Sequence, residues 1–194
     1  MRLAIADPPY LGRAARWYGD GRGPGRGRVT AHGRNGRKPD HHPDAHEWDQ
    51  PHRHTQLVSD LSDFDGWAIA GAPDYLGLLL AAAPADARVA VWHRPNAMPG
   101  GGRIITAWEP VLYRVPTGRR DRRTGHMIRD VLTHPVHRQG FLGSKPQAWT
   151  RWVLDLLGYQ PGDHLVDMFP GSGAVSTAAG MLPIPSGNSP GSLS

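Results

Sequence analysis

The sequence predicts an α/β fold built on a mainly parallel sheet. Short apolar runs of strand length alternate with amphipathic stretches of helix length, the pattern of repeated strand–helix units. Two of those runs stop at an aspartate followed by a turn rich in proline or glycine, at Asp7-Pro8-Pro9 and at Asp167 to Gly173. Open α/β sheets place ligands just there, beyond the carboxyl ends of their strands. A length of 194 residues accommodates one such domain with a tail, and not two large domains.

The elements follow in order. Residues 2–6 form a buried strand ended by Asp7-Pro8-Pro9. Residues 11–53 are rich in Gly, Arg, His and Pro without a sustained period and read as a long loop. A helix is expected from Thr55 to Phe64, with Leu57, Val58 and Leu61 on one face. Trp67 to Ala70 is a buried strand, Asp74 to Ala83 an apolar helix closed by Pro84, and Arg88 to His93 the next strand. Residues 95–103 are a loop, and Ile104 to Val115 reads as a strand, one arm of a hairpin. Residues 116–143 are basic and irregular, with a short helix near Met127 to Leu132. Pro146 to Gly158 is an amphipathic helix with Pro at its start and Gly at its end, its face made by Trp149, Val153, Leu156 and Leu157. His164 to Asp167 is a strand, and Gly171-Ser172-Gly173 a tight turn into a helix. The domain is expected to span 1–180, and the Ser/Pro/Gly-rich residues 181–194 to form a disordered tail.

Composition narrows the function classes. Without cysteine there is no disulfide framework, thiolate metal site or cysteine nucleophile. No apolar run reaches the roughly 18 residues of a membrane span, and the short apolar N-terminus meets Asp7 too soon for a signal peptide. A soluble cytoplasmic protein is the expectation. The net charge of +5 is segregated. Residues 12–53 carry nine basic and five acidic side chains and residues 114–138 seven and two, while the remainder is net acidic. Two basic segments suit a polyanionic partner such as nucleic acid; solvated loops are the plainer alternative.

Two motifs carry chemistry. In Asp7-Pro8-Pro9-Tyr10 the prolines stiffen the backbone and remove N–H donors, leaving carbonyls to accept. Asp7 adds a carboxylate acceptor and Tyr10 a flat stacking face. Together they suit a planar ring with an exocyclic amine, which donates to Asp7 and the Pro8 carbonyl while the ring stacks on Tyr10. A purely structural turn is the alternative. In Asp167-Met168-Phe169-Pro170-Gly171-Ser172-Gly173, a strand ending in a carboxylate passes into a glycine turn that lets a ligand approach the backbone. No Gly-Lys-Ser/Thr follows, so it is not a phosphate-binding P-loop.

Taken together, the motifs resemble those of the S-adenosylmethionine-dependent amino-methyltransferases of DNA, which make N6-methyladenine or N4-methylcytosine. Trp108-Glu109-Pro110-Val111-Leu112-Tyr113 is similar to a late strand of that family, and Gly143-Ser144-Lys145-Pro146 to its Lys-Pro element. The resemblance spans most of residues 3–179 and implies a Rossmann-like methyltransferase sheet, circularly permuted so that the catalytic half precedes the cofactor half. It implies catalytic roles for Asp7, Pro8, Pro9 and Tyr10. It places Lys145, Pro146, Asp167, Phe169, Pro170, Gly171, Ser172 and Gly173 around the cofactor S-adenosylmethionine, with no metal. The implied reaction is in-line methyl transfer to a base amine in DNA, adenine N6 first, with the base flipped out or single-stranded. Cytosine N4, RNA as substrate, and a degenerate member that only binds nucleic acid are the alternatives. The family continues into a further strand ending in a ribose-binding carboxylate, whereas residues 168–194 contain neither Asp nor Glu. That departure implies a C-terminally truncated chain or a pocket completed by a second chain.

Other residues have plainer readings. His41, His42, His46, His52 and His54 resemble a metal cluster by spacing but are expected to sit in a solvated loop. His93 is expected to be packed at a strand end, and His134-Pro135 loosely matches a family His-Pro pair. Trp17 and Tyr18 either stack on bases or pin the loop, and Trp67, Trp92, Trp149 and Trp152 are core candidates.

Overall fold

The structure, a computed structural model, describes residues 1–19, 44–99, 102–136, 145–170, 175, 179 and 180. Among them the strands are β1 (Arg2–Ala6), β2 (Gly66–Ala70), β3 (Arg88–His93), β4 (Trp108–Arg114), β5 (Val131–Thr133) and β6 (His164–Asp167). The helices are α1 (Ala14–Tyr18), α2 (Pro51–Leu61), α3 (Leu76–Ala82) and α4 (Gln147–Leu157). The strands make one sheet in the order β5-β3-β4-β2-β1-β6. β1 pairs in parallel with β2 and β6, β3 pairs in parallel with β5, and β4 runs antiparallel to both β2 and β3.

Alternation along the strands builds a core on each face. Leu3 and Ile5 of β1, with Ala68, Ala70, Trp92 and Val111, pack against α4. Ala4 and Ala6, with Trp67, Ile69 and Leu112, pack against α2 and α3. The sheet is thus covered on both sides, which explains why β1 and β2 read as unbroken apolar runs rather than alternating ones. The predicted faces of α2 and α4 are buried, as are all four tryptophans expected in the core. Gly158 ends α4 in the left-handed region at φ 64°, its N–H donating to the Asp155 and Leu154 carbonyls.

Several expectations need correction. The loop expected over 11–53 contains α1 and a 3-10 turn at Ala45–Asp49. Both oxygens of the Asp49 carboxylate accept from the first turn of α1, from Ala14 N–H and Ala15 N–H at 2.9 Å each. A cap supplied from 34 and 35 residues away leaves no local sequence signal. The helix expected near 127–132 is absent; Val131–Thr133 is instead an edge strand, parallel to Val91–His93 and suited to it by its β-branched residues. The strand expected from Ile104 begins at Trp108, and Ile104 remains 74% exposed. α2 starts four residues before its expected first residue, with Pro51 in its first turn. The glycine turn 171–173 and the tail 181–194 lie outside the described residues. No described helix is long and apolar enough to cross a membrane.

The sheet has two distinct ends. The carboxyl ends of β1, β2, β3 and β6 and the start of antiparallel β4 share one, which carries Asp7, Arg94, Glu109 and Asp167. Residues 115–128, the first half of the basic segment, follow β4 to the other. There Arg119 pairs with Asp163, and Asp86 binds both Arg114 and Arg120.

Candidate active site

Asp7 follows β1 directly, so the strand fixes its backbone at the rim of the sheet. Its carboxylate is 27% exposed and receives the Lys145 ammonium on Oδ1 at 3.0 Å. Among the described residues its other oxygen, Oδ2, carries no hydrogen bond. Lys145 is nearly buried, at 7% exposure, and stands just ahead of α4. Its Nζ also donates to the Tyr10 hydroxyl at 2.8 Å and to Glu109 Oε2 at 3.1 Å. The three N–H groups of the ammonium thus meet three acceptors. The charge also lies 5.0 Å from the centre of the Tyr10 ring and under 6 Å from those of Trp92 and Trp149.

Glu109 is the second hub. The Tyr10 hydroxyl donates to its Oε2 at 2.7 Å, and Arg94 donates to its Oε1 at 2.6 Å. Glu109 reaches the site because β4 is antiparallel and begins where the parallel strands end. The Tyr10 ring also meets Tyr75 edge-on, with centroids 6.2 Å apart.

The electrostatics follow from burial and these partners. Burial pushes the Asp7 carboxyl above the usual carboxylate range, and Lys145 pulls against it. Burial raises Glu109 too, but Lys145 and Arg94 outweigh it and hold the group below its ordinary value. The Lys145 ammonium is disfavoured by burial yet held well above the ordinary lysine value by Asp7 and Glu109. The Tyr10 phenol is pushed far up by burial and by the neighbouring carboxylates. At neutral pH the cluster therefore holds an ammonium, a Glu109 carboxylate and a neutral phenol.

These residues wall a cavity of about 250 Å³. Asp7, Pro8, Tyr10 and Lys145 line it, and Trp17 and Tyr18 of α1 contribute aromatic surface. Among the described residues no hydrogen bond is made to the Pro8 carbonyl.

Beside β1, β6 brings Asp167 opposite Ile5, and Met168 N–H donates to the Ile5 carbonyl at 3.0 Å. Asp167 Oδ1 accepts from Phe169 N–H at 3.1 Å, and burial raises its pKa. The Phe169 ring packs edge-on against Trp48, with centroids 4.9 Å apart. Pro170 is exposed at the end of this segment, and Gly171, Ser172 and Gly173 lie outside the described residues. The structure thus brings Asp7, Pro8, Tyr10 and Lys145 together, with Asp167 and Phe169 on the neighbouring strand end. Pro146 is buried as the N-cap of α4, and Pro9 does not line the cavity.

Lys145 touches Asp7, Tyr10 and Glu109 rather than the β6 motif. Glu109 and Arg94 have no assigned role in the sequence, although Glu109 lies in the stretch 108–113, whose similarity to a family strand is the signal that singles it out. The histidines are dispersed. His54 is fully buried in α2 beside Trp48 and Tyr75, with Nε2 2.8 Å from the Trp48 carbonyl, so it packs in the core rather than a solvated loop. His41 and His42 lie outside the described residues, and no metal-ligand cluster occurs among those described.

No family model matches the chain, and no curated protein does. Among solved structures it is similar to the crystal structure of the M1.HpyAVI–SAM complex, at 13% identity and a TM-score of 0.52 over 92% of this chain and 76% of that one. A protein of Thermus thermophilus, described as a candidate DNA modification methylase, gives 15% identity and a TM-score of 0.48 over 92% of this chain and 75% of that one. Likeness at this level of identity concerns the fold alone, an α/β Rossmann-like architecture shared with the first of these structures.

Proposed function

We propose that the chain transfers a methyl group from S-adenosylmethionine to the exocyclic amine of a base in DNA, adenine N6 first. The carrying observation is the corner formed by Asp7, Pro8 and Tyr10. There, one carboxylate oxygen and one carbonyl without a hydrogen bond among the described residues stand at an aromatic-lined cavity beyond a parallel strand. An amine with two N–H groups needs two such acceptors, and a base ring needs the flat surface.

The residues present fit the cofactor. S-adenosylmethionine carries cationic centres, and beside Asp7 the adjacent end of β6 carries the Asp167 carboxylate, raised by burial and without a cation partner among the described residues. A cation beside Asp167 relieves that cost. Asp167 and Phe169 would hold it, with Pro170, Gly171, Ser172 and Gly173 as the continuation of the same motif. The fold likeness to a SAM complex supports this choice. So does the chain order: Asp7 precedes Asp167 by 160 residues although their strands are neighbours, as in the permuted arrangement.

When bound, the cofactor supplies a methyl group on a sulfonium. The chain does the rest by positioning. Asp7 Oδ2 and the Pro8 carbonyl accept from the amine, turning its nitrogen lone pair out of conjugation with the ring. The Tyr10 ring fixes the plane of the base. As nitrogen gains the methyl group it loses a proton, and Asp7 Oδ2 is the acceptor placed to receive it. Alignment of this kind is worth several orders of magnitude in rate.

The test incubates the protein with labelled S-adenosylmethionine and unmethylated DNA or RNA, then resolves the digested nucleosides by mass spectrometry. N6-methyladenine from DNA is expected, and Asp7→Asn should lower its rate by roughly 100-fold or more. Label in cytosine or only in RNA would change the substrate. No label from folded wild-type protein would sink the proposal and favour a nucleic-acid-binding relic or a chain that needs a partner.

A further inference from the structure

We propose that Lys145 is a positioning residue for Asp7 and Tyr10, held in place by Glu109 and Arg94, and not a residue of the cofactor pocket. This rests on the reading of Asp7 and Tyr10 given above. The geometry is specific. An ammonium with only three protons spends one on Asp7 Oδ1, one on the Tyr10 hydroxyl and one on Glu109 Oε2. The first bond fixes the Asp7 carboxylate and leaves Oδ2 as the oxygen for a substrate. The second, with the Tyr10 to Glu109 bond at 2.7 Å, anchors the far end of the phenol so that the ring cannot swing. Glu109 in turn is oriented by Arg94 on its other oxygen. Both Lys145 and Glu109 are nearly buried, so their charges are held by each other rather than by water.

Asp7 is faced by Lys145 ahead of α4, by Glu109 on β4 and by Asp167 on β6, with Tyr10 and Tyr75 beside it. Lys145 alone among these opposes protonation of Asp7. Removing its charge must therefore favour the protonated carboxyl, which has one acceptor fewer for an amine.

The test uses Lys145→Met, Lys145→Arg and Glu109→Gln in the full chain, with folding checked by circular dichroism. The first readout is the carboxyl-carbon NMR titration of Asp7, which needs no turnover. Lys145→Met should raise the Asp7 midpoint by at least one pH unit, and Lys145→Arg should restore most of it. The second is kinetic. Lys145→Met should lower kcat for methyl transfer at least tenfold, leave KM for S-adenosylmethionine within twofold, and move the acid limb of the pH profile upward. An unmoved Asp7 titration in folded Lys145→Met overturns the proposal, as does a loss carried by KM for the cofactor. If Lys145→Met fails to fold, Glu109→Gln decides through kcat, because the lost Glu109 charge lowers the Asp7 midpoint by itself: an unchanged kcat overturns the proposal. Absence of transfer by wild-type protein overturns the proposed function instead, and the NMR titration then decides the role of Lys145 by itself.

Discussion

Tyr10 combines two properties that point mutations separate. It lines the cavity, where the proposed function gives its ring a stacking role, and its hydroxyl is tied between Lys145 and Glu109. Tyr10→Phe keeps the ring and leaves Glu109 and Lys145 each short of one partner in a nearly buried site. A buried polar group stripped of a partner costs about 1–3 kcal/mol, so Tyr10→Phe should lower unfolding free energy by that order while retaining measurable methyl transfer. Tyr10→Ala removes the ring too and should reduce transfer at least tenfold below Tyr10→Phe. Urea unfolding and the nucleoside assay check both; equal transfer by the two variants would mean that the ring is not a stacking platform. The part of the candidate site lying on one continuous stretch, Asp7 to Tyr10, is singled out by the sequence because its residue types stand side by side, and Asp7, Pro8 and Tyr10 do line the cavity. The contacts of Glu109, Arg94 and Lys145 are not, because they depend on β4 running antiparallel, which no single segment encodes.

Elements were legible in proportion to how far their stabilisation is local. β1, β3, β6 and α4 declare themselves through apolar periodicity and their terminating Pro or Gly, and their bounds match the expected ones within a residue. α1 is only five residues long, too short to hold itself, and depends on the Asp49 carboxylate. That dependence matters for the site because α1 carries Trp17 and Tyr18 into the cavity wall. Asp49→Ala strips both caps and should destabilise the protein by about 1–2 kcal/mol, the usual worth of such a cap. It should also release α1 from the cavity. The expected signature is faster amide hydrogen exchange at Ala14 and Ala15 with exchange in α4 unchanged. Equal protection in wild type and variant would show that packing, not the cap, holds α1.

At the scale of the molecule, the surprise is what the second basic segment does. Its composition suggested a polyanion contact, and residues 129–136 do return to the β3 edge near the site. Residues 115–128, however, lie at the opposite end of the sheet, where the arginines described above are matched with acids. Composition cannot reveal this, since pairing partners lie dozens of residues away. Asp163 shows what the arrangement achieves. It binds the Arg119 guanidinium, the Gln160 N–H and the α-amino group of Met1, joining the segment after β4, the turn before β6 and the start of β1. Burial pushes the Asp163 carboxyl up, but Arg119 and the two N–H donors dominate and bring it down to about 2 from 3.8. A carboxyl whose folded pKa is depressed contributes stability above its unfolded pKa and loses it as pH falls through the folded one. Asp163 should therefore contribute roughly 2 kcal/mol at neutral pH, declining from about pH 4 and nearly gone at pH 2. Asp163→Asn mimics the protonated state, so the difference in unfolding free energy between wild type and variant should be of that size at pH 7 and shrink toward zero at pH 2. A pH-independent difference would show that the side chain acts through packing and hydrogen-bond shape rather than charge.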